Sequence, residues 1–338
     1  KIKLVIGARS SLMLPFKNLG IIIVDEEHDT SYKQDERVIY HARDMAIARA
    51  SFENIPIDLV SSIPSIETYN NIQNKKYRFV KIIKRYNDYP LPETKIINLN
   101  INKVRDKYIA DETIEEVKKF LKKGEQILFF INKRGFAPFL VCKNCGYKQS
   151  CADCSLYLTF HKSKNKAICH HCGYERQINR ICKNKKKCEF ILYGPGVEKI
   201  FEQIKKIFPN KNTSIFSSDF MNNKNETELL FKKIEENKID ILVGTQMISK
   251  GFNFQKLNCI VVVDADFSGR GYDLRTTEKN IQLYHQLSGR AGRFSSNSLI
   301  IYQTLSPENK TLNNLIKNNP EKFLEKELVL RKNNKLPP

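Results

Sequence analysis

The sequence lacks an apolar run long enough to cross a bilayer. Ile21–Val24 and Ile127–Ile131 are among its longest runs, and both fall far short of the ~20 residues that a transmembrane helix needs. Neither end carries a secretory signal. These absences argue against a transmembrane or secreted protein, and we expect a cytoplasmic protein with no membrane partner.

Acidic residues are scarce relative to basic ones. The 338 residues include 57 Lys and Arg but only 37 Asp and Glu, which gives a formal net charge of +20. Such an excess indicates a polyanionic partner, usually nucleic acid. A genome rich in A/T codons would also produce many solvated surface lysines, so the charge alone does not decide between these two explanations.

The sequence also lacks any Gly-Lys dipeptide, so the phosphate-binding loop G-x-x-x-x-G-K-[ST] is absent. Without that loop the chain cannot build a complete P-loop nucleotide site. The chain begins at Lys1 and ends at Pro337-Pro338, and we expect it to be a piece of a longer polypeptide.

What the sequence does contain is a series of short apolar runs separated by helical patterns. Ile21–Val24, Ile239–Val243 and Ile260–Val263 each end before a small or polar residue, which is typical of strands buried on both faces of a parallel sheet. Helical spacing predicts a helix from an N-cap at Asp111 to a stop at Gly124, and another over 197–208. Strands alternating with helices predict an α/β fold.

In one segment of the chain, closely spaced cysteines replace this alternation of strands and helices. Without secretory features, cysteine pairs this dense indicate zinc ligands rather than disulfides, and four thiolates per tetrahedral ion make two structural zinc sites. Unligated cysteines are the alternative, and His161, His170 and His171 are possible substitute ligands. Eight of the nine cysteines form three C-x2-C pairs and one C-x5-C pair: Cys142, Cys145, Cys151, Cys154, Cys169, Cys172, Cys182 and Cys188.

Two further patterns suit phosphate chemistry. The strand Ile21–Val24 delivers Asp25 and Glu26 at its carboxyl end, the Walker B arrangement in which one carboxylate holds Mg²⁺ and another orients the attacking water. Acidic residues also follow strands as mere caps.

Arg290 and Arg293 would share one face if helical, and guanidinium groups suit the charge of phosphoryl transfer; solvated surface arginines are the alternative.

These motifs, in their order along the whole chain, resemble the PriA family of bacterial replication-restart (primosomal) DNA helicases. The matching segments, besides the cysteine-rich insert, are GARSS at 7–11, DEEHD at 25–29, SYKQDERVIYHARD at 31–44, INKRGFAP at 131–138, GTQMISKG at 244–251, DADFSGRGYDLRTTEK at 264–279 and QLSGRAGR at 286–293.

The resemblance implies two RecA-like lobes of a superfamily-two helicase, the first incomplete, with the double-zinc module inserted in the second. The implied segments are 1–90 for the remainder of the first lobe, 91–139 for a linker and the start of the second lobe, 140–190 for the zinc insert, 191–310 for the rest of the second lobe, and 311–338 for the start of a truncated C-terminal region.

The family also implies roles at an ATP and Mg²⁺ site. Asp25 would be the Mg²⁺ carboxylate, Glu26 the hydrolysis base, and His28 the link between this site and DNA. Arg293 would be the arginine finger and Arg290 a phosphate ligand. The implied nucleotide-binding residues of the second lobe are Gly244, Thr245, Gln246, Lys250, Gly251, Gln286 and Gly289.

DNA and zinc contacts follow from the same resemblance. The segment from Tyr32 to Arg43 corresponds to an aromatic-rich loop that senses single strands, and its tyrosines and basic residues also make sense as stacking platforms beside phosphate contacts. The predicted DNA-binding residues are Arg9, Tyr32, Lys33, Tyr40, Arg43 and Arg134. In the family one zinc ion would take Cys142, Cys145, Cys182 and Cys188, and the other Cys151, Cys154, Cys169 and Cys172.

The sequence departs from the family in three places. The P-loop is expected upstream of residue 1. The third helicase motif, usually ending Ser-Ala-Thr-Pro, reads Ser61-Ser62-Ile63-Pro64, which removes a threonine hydroxyl. Cys182 and Cys188 are separated by five residues where the family has two, so one of them is the least certain zinc ligand.

The leading hypothesis is therefore an ATP-dependent helicase that moves 3′ to 5′ on single-stranded DNA and unwinds duplex at stalled forks. By resemblance its partners would be single-stranded and forked DNA, other primosome proteins and single-stranded DNA-binding protein. We expect the chain alone, without a P-loop, to be inactive. The alternative is a non-enzymatic, zinc-stabilised DNA-binding or primosome-docking fragment.

Overall fold

The computed structural model describes residues 3–36, 38–82, 88–100, 108–132, 139–142, 147, 149, 151–152, 158–161, 166–168, 174–177, 190–193, 196–216, 224–245, 254–266, 275–317 and 319–338. The chain divides into two compact units. Lys1–Lys81 and Pro320–Pro338 form the first unit, and Ile82–Asn319 forms the second.

The regular elements are numbered in chain order. The strands are β1 (Ile22–Asp25), β2 (Lys33–Gln34), β3 (Tyr40–His41), β4 (Ile57–Val60), β5 (Glu93–Asn98), β6 (Gln126–Phe130), β7 (Phe139–Cys142), β8 (Thr159–His161), β9 (Lys166–Ile168), β10 (Glu175–Gln177), β11 (Phe190–Tyr193), β12 (Thr213–Phe216), β13 (Ile241–Gly244), β14 (Leu257–Val262) and β15 (Leu299–Thr304). The helices are α1 (Ala42–Glu53), α2 (Ile66–Gln73), α3 (Asp111–Lys122), α4 (Val197–Ile207), α5 (Lys224–Glu235), α6 (Thr276–Ser288), α7 (Lys310–Ile316) and α8 (Pro320–Asn333). Among the helices so described, none is both long and apolar enough to cross a membrane.

In the first unit, β1 and β4 pair in parallel with Val24 opposite Leu59. The strands β2 and β3 form a small antiparallel hairpin. Helix α1 ends at Asn54, which adopts a left-handed conformation with φ 53°, and α2 begins after Ser65, whose hydroxyl oxygen accepts from the Thr68 amide. Both are ordinary ways of satisfying a helix end.

The second unit contains a six-stranded, wholly parallel sheet in the order β12-β13-β6-β14-β15-β5. Every residue of β6, β13, β14 and β15 is buried, because helices cover both faces of the sheet. This confirms the predicted α/β class with a parallel sheet. Since β13 and β14 lie on opposite sides of β6, the carboxyl ends of these three strands define a topological switch point, where open α/β sheets bind ligands.

Alternate strand residues pack on different helices. Ile127 and Phe129 of β6 belong to one apolar cluster with Val117 of α3 and Ile200 of α4. On the other face, the Tyr302 ring of β15 meets the Tyr284 ring of α6 edge-on, with ring centroids 5.7 Å apart. Both predicted helical stripes therefore serve as core-facing surfaces. Cys259, expected to be a buried filler in β14, is fully buried, and burial raises the pKa of its thiol.

A second, antiparallel sheet has the order β10-β9-β8-β7-β11. Its strands lie between Phe139 and Tyr193, the part of the chain in which the sequence predicts the cysteine-rich insert. The strands β7 and β11 pair from Phe139 opposite Tyr193 to Cys142 opposite Phe190. The insert thus departs and returns on neighbouring strands, as expected of a module placed within another fold.

The start of α3 differs from the sequence prediction. Asp111 is the first helical residue and Ala110 is the N-cap, with no side-chain cap from its own segment. Instead, Oε1 of the fully buried Gln303 accepts from the Ala110 amide (2.9 Å) and the Thr113 hydroxyl (2.7 Å). Its Nε2 donates to the carbonyls of Tyr108 (2.9 Å) and Val263 (3.1 Å). One amide from β15 therefore caps α3 and fastens it to the sheet.

Replacing Gln303 by Leu is expected to lower the free energy of unfolding by about 3 kcal/mol or more, because several buried polar groups lose their partners. Gln126→Leu is the matched control, since among the described residues the buried Gln126 amide donates to two partners, the Ile234 and Ile239 carbonyls; its expected cost is about half as large. Urea unfolding of both variants measures the difference. A smaller loss for Gln303→Leu than for Gln126→Leu would contradict the assignment of Gln303 as a cap.

Candidate functional site

The acidic motif lies at the carboxyl end of β1, as the sequence predicts. Asp25 is the last residue of β1 and is exposed. Glu26 then adopts a left-handed conformation, with φ 48°, which is strained for a residue other than glycine. The Glu26 amide donates to Asp25 Oδ1 (2.9 Å), and the Asp29 amide donates to the Glu26 carbonyl (2.8 Å). We call residues 25–29 the acid turn. In the strand before it, Val24 is buried but Ile23 is exposed, so the predicted burial of this strand on both faces is wrong.

His28 links the acid turn to the segment that follows β4. The His28 Nδ1 lies 2.6 Å from the Ser61 hydroxyl, which itself donates to the Ile63 carbonyl (2.7 Å). Because that hydroxyl has a single proton, Nδ1 must be the donor in the first of these two bonds. The same Nδ1 lies 3.6 Å from Glu26 Oε2. His28 is therefore held between the predicted base and the segment that follows β4.

Glu27 is a residue that sequence reasoning missed. Its side chain is fully buried, and its carboxylate accepts from the Ser65 amide (2.6 Å), the Ser65 hydroxyl (3.0 Å), the Thr68 hydroxyl (3.0 Å) and Arg43 (3.0 Å). These partners lie 16 to 41 positions away in the chain. No local pattern signals such a set, so only the folded structure identifies it.

Two of the predicted DNA-binding residues instead contact the acid turn. Arg43 is only 6% exposed, and its guanidinium donates to Glu27, to the Ser65 hydroxyl (2.7 Å) and to Asp44 (2.8 Å). The Tyr32 hydroxyl donates to the Asp25 carbonyl (2.6 Å). Burial raises the pKa of Tyr32, and the neighbouring negative charges, that of Asp25 first, raise it further. The predicted contacts of Arg43 and Tyr32 with DNA stay predictions.

The remaining predicted DNA-binding residues of the first unit gather at the hairpin. Lys33 is exposed in β2 and pairs with Asp35 (2.9 Å), and Arg9 donates to the Lys33 carbonyl. Tyr40 lies in β3 opposite Gln34 and is half-buried. Arg134 lies outside the described residues. The hairpin thus carries one cationic side chain and one aromatic ring, and Arg9 contacts its backbone; cations and aromatic rings are the groups that contact phosphates and bases of a single strand.

The second unit places its candidate residues at the switch point of its sheet. Gly244 ends β13, and the buried Thr245 follows it, with its amide donating to the Phe216 carbonyl (3.3 Å). Beyond β6, the Asn132 amide donates to Asn280 Oδ1 (2.7 Å). The other predicted residues of this motif lie outside the described residues: Gln246, Lys250 and Gly251.

The two predicted phosphate-binding arginines do not lie on a helix. Helix α6 ends at Ser288 with Gln286 half-buried in its last turn, and Gly289 is its C-cap. The expectation of one shared helical face therefore does not apply, because Arg290 and Arg293 follow the helix in a turn. Cations are stabilised at that negative end of the helix dipole. Arg293 donates from Nε to the Gly289 carbonyl (3.0 Å), and burial lowers its pKa.

Gly292 makes this arginine turn possible. Its φ is 64°, and a side-chain Cβ at this position would lie 2.7 Å from the Ser298 Cβ and closer still to the Ser298 hydroxyl. The Gly292 amide also donates to the Leu257 carbonyl (3.2 Å), which fixes the turn against the start of β14. A glycine is required here for both conformation and space.

Gly292→Ala is expected to destabilise the protein by about 3 kcal/mol, since strain at positive φ adds to a steric clash. Gly124→Ala is the matched control: its φ is 74°, but nothing lies within 4 Å of the added Cβ, so about 1 kcal/mol is expected. Chemical unfolding of the two variants separates the effects. Equal losses at both positions would show that the contact with Ser298 carries no energy.

Two of the predicted zinc ligands are described, and both are buried cysteines. Cys142 ends β7, and its amide donates to the Tyr147 carbonyl (2.8 Å). Cys151 is also buried. The other six lie outside the described residues: Cys145, Cys154, Cys169, Cys172, Cys182 and Cys188. Within the described ranges no three potential ligands gather, and the zinc sites stay a prediction.

Comparison with known proteins defines the class of this chain first. Residues 163–295 match the family model described as "Helicase conserved C-terminal domain". Together with the six-stranded parallel sheet, this match indicates an α/β protein that resembles the RecA-like domains of helicases.

The particular family follows from curated relatives. The chain is 42% identical over 340 residues to the replication restart protein PriA of Rickettsia conorii, covering 100% of this chain and 52% of that protein. It is 34% identical to the replication restart protein PriA of Bacillus subtilis, covering 100% of this chain and 42% of that protein. The whole chain is therefore similar to PriA proteins, and it spans about half the length of the curated relatives it matches.

Solved structures are less similar. The yeast (S. cerevisiae) protein Dbp5 bound to RNA and ADP BeF3 aligns with a TM-score of 0.47 at 12% identity, covering 95% of this chain and 64% of that one. RecG bound to a three-way DNA junction aligns with a TM-score of 0.45 at 14% identity, covering 93% and 30%. These scores are too low to support a functional comparison.

Proposed function

We propose that this chain is the motor segment of an ATP-dependent replication-restart helicase that moves 3′ to 5′ on single-stranded DNA and unwinds duplex at stalled forks. The observation that carries the proposal is the acid turn: Asp25 and Glu26 stand at the carboxyl end of a parallel strand, and His28 joins them to the segment after β4. The match of the whole chain to PriA proteins supports it.

Each unit, taken by itself, has residues that suit phosphate chemistry. In the first unit Asp25 is an exposed carboxylate of the kind that holds Mg²⁺, and Glu26 would orient a water molecule. In the second unit Arg290 and Arg293 would supply permanently charged groups for phosphate oxygens. ATP would supply the free energy of the cycle. Since the sequence has no P-loop, we propose that a P-loop outside it completes the site and that these 338 residues alone do not hydrolyse ATP.

The proposed DNA contact of the first unit is the β2–β3 hairpin. Lys33 is exposed and Tyr40 is half-buried there, and they supply a cation for phosphate and an aromatic ring for a base. The net charge of +20 supports a polyanionic partner. Forked DNA, other primosome proteins, single-stranded DNA-binding protein and a cytoplasmic location are proposed by similarity to PriA proteins.

The ATPase prediction concerns the full-length polypeptide that carries this segment together with a P-loop. Glu26→Gln is expected to lower the kcat of DNA-stimulated ATP hydrolysis by about 10²- to 10⁴-fold, because the variant cannot accept a proton from the attacking water. Glu93→Gln, an exposed residue of β5, is the matched control and should hydrolyse ATP as the wild type does. Unchanged turnover in Glu26→Gln would end the proposed role of this residue.

The second candidate function is a non-enzymatic, zinc-stabilised DNA-binding or primosome-docking fragment, and the missing P-loop favours it. The same experiment separates the two functions. If the wild-type polypeptide binds single-stranded DNA but shows no DNA-stimulated ATP hydrolysis, the result supports the non-enzymatic function over the helicase function.

For the insert we propose two structural zinc ions. The described thiols fit this group, since Cys142 and Cys151 are buried in a small antiparallel module and thiolates suit tetrahedral zinc. When bound, the metal would supply folding energy to a segment with little apolar core.

Elemental analysis of freshly reduced protein is expected to give about two zinc ions per chain. Cys142→Ser and Cys151→Ser should each remove about one ion, because the family pairing assigns them to different sites. Cys259→Ser is the control, as Cys259 lies in the buried strand β14, and it should leave the zinc content unchanged. Finding no zinc in the wild-type protein refutes the proposal.

A further inference from the structure

Contacts with the rest of the protein must maintain the strained backbone conformation of Glu26. A non-glycine residue at φ 48° is less stable than the same residue in an ordinary conformation, and such strain persists only where the surroundings over-determine it. The Glu26 side chain supplies little restraint: its Oε2 is buried without a hydrogen-bond partner in the described part of the chain, and its distance to His28 Nδ1 is 3.6 Å. The main restraint therefore comes from its neighbours along the chain.

On one side, Asp25 is fixed by the sheet. It pairs with Val60 across β1 and β4, and its carboxylate accepts from the Glu26 amide. On the other side, the Glu27 amide donates to the Val60 carbonyl (3.1 Å). Glu26 is therefore the single residue that must bridge two positions anchored on the same residue of β4, which demands a sharp turn in the backbone.

The Glu27 side chain provides the second anchor. Its fully buried carboxylate accepts four hydrogen bonds, two from Ser65 at the start of α2, one from Thr68 and one from Arg43. A buried carboxylate that accepts this many hydrogen bonds is held in one position. Glu27 therefore cannot shift to let the Glu26 backbone return to an ordinary conformation.

We propose that Glu27, held by Arg43, is a positioning residue that keeps Glu26 in its left-handed conformation and so aims the carboxylate of the candidate base. This inference rests on the proposed ATP hydrolysis for its kinetic consequence. Arg43 acts in it through Glu27, and its guanidinium also donates to Ser65 and Asp44.

The kinetic test compares Glu27→Gln, Arg43→Met and the double variant in the full-length polypeptide. Each single variant should lower kcat by about 10²-fold while the KM for ATP stays unchanged, because misplacing a catalytic group affects the transition state more than binding. The double variant buries no unpaired charge and should regain stability, yet its kcat should remain as low as that of either single variant. Recovery of wild-type kcat together with stability would overturn the proposal.

A second readout uses the 338-residue chain and needs no ATPase activity. In the double variant the amides of Glu27 and Asp29, which mark the acid turn, should exchange hydrogen at least about 10-fold faster than in the wild type. The amide of Ile22, which donates to the Pro56 carbonyl, should keep its rate. A purely structural role predicts equal acceleration at all three amides. If the wild-type polypeptide shows no ATPase, the proposed motor fails, while the exchange rates still decide whether Glu27 holds the turn.

Discussion

Parallel pairing of strands determines where the candidate residues lie in both units. Parallel strands end at a common edge, so residues far apart in sequence are delivered to the same place. In the first unit, the pairing of β1 with β4 brings the acid turn beside Ser61, and the bond from His28 follows. In the second unit, β13 and β6 end together, which places Thr245 and Asn132 at one edge.

The sequence predicted the strands and helices that depend on apolar burial. The run Ile127–Ile131 corresponds to β6 and the stripe over 197–208 corresponds to α4, because both are dominated by contacts that any apolar side chain makes. The hairpin could not be predicted in this way. Its strands have two residues each, which is too short for a periodic pattern, and they are defined by the pairing of Lys33 with His41 and of Gln34 with Tyr40.

Polar burial was the part that the sequence could not reveal. In the sequence nothing distinguishes Arg43 from a surface cation or Glu27 from the acids beside it. In the fold, Arg43 Nη1 lies 3.0 Å from Glu27 Oε2. Gln303 caps a helix that begins about 190 residues earlier. Such bonds depend on exact tertiary placement and leave no local trace. The arginine turn escaped prediction for a related reason, since Gly289 and Gly292 fit a helix pattern poorly but do not by themselves specify what replaces it.

The hydrogen bonds that run from His28 through Ser61 have a consequence for substitutions at position 63. The hydroxyl of Ser61 ends its bond on the main-chain carbonyl of Ile63, an acceptor that every amino acid provides. A substitution of the side chain at position 63 therefore leaves this hydrogen bond in place. Ile63 is only 1% exposed, so it adds apolar packing where a threonine would have buried a hydroxyl.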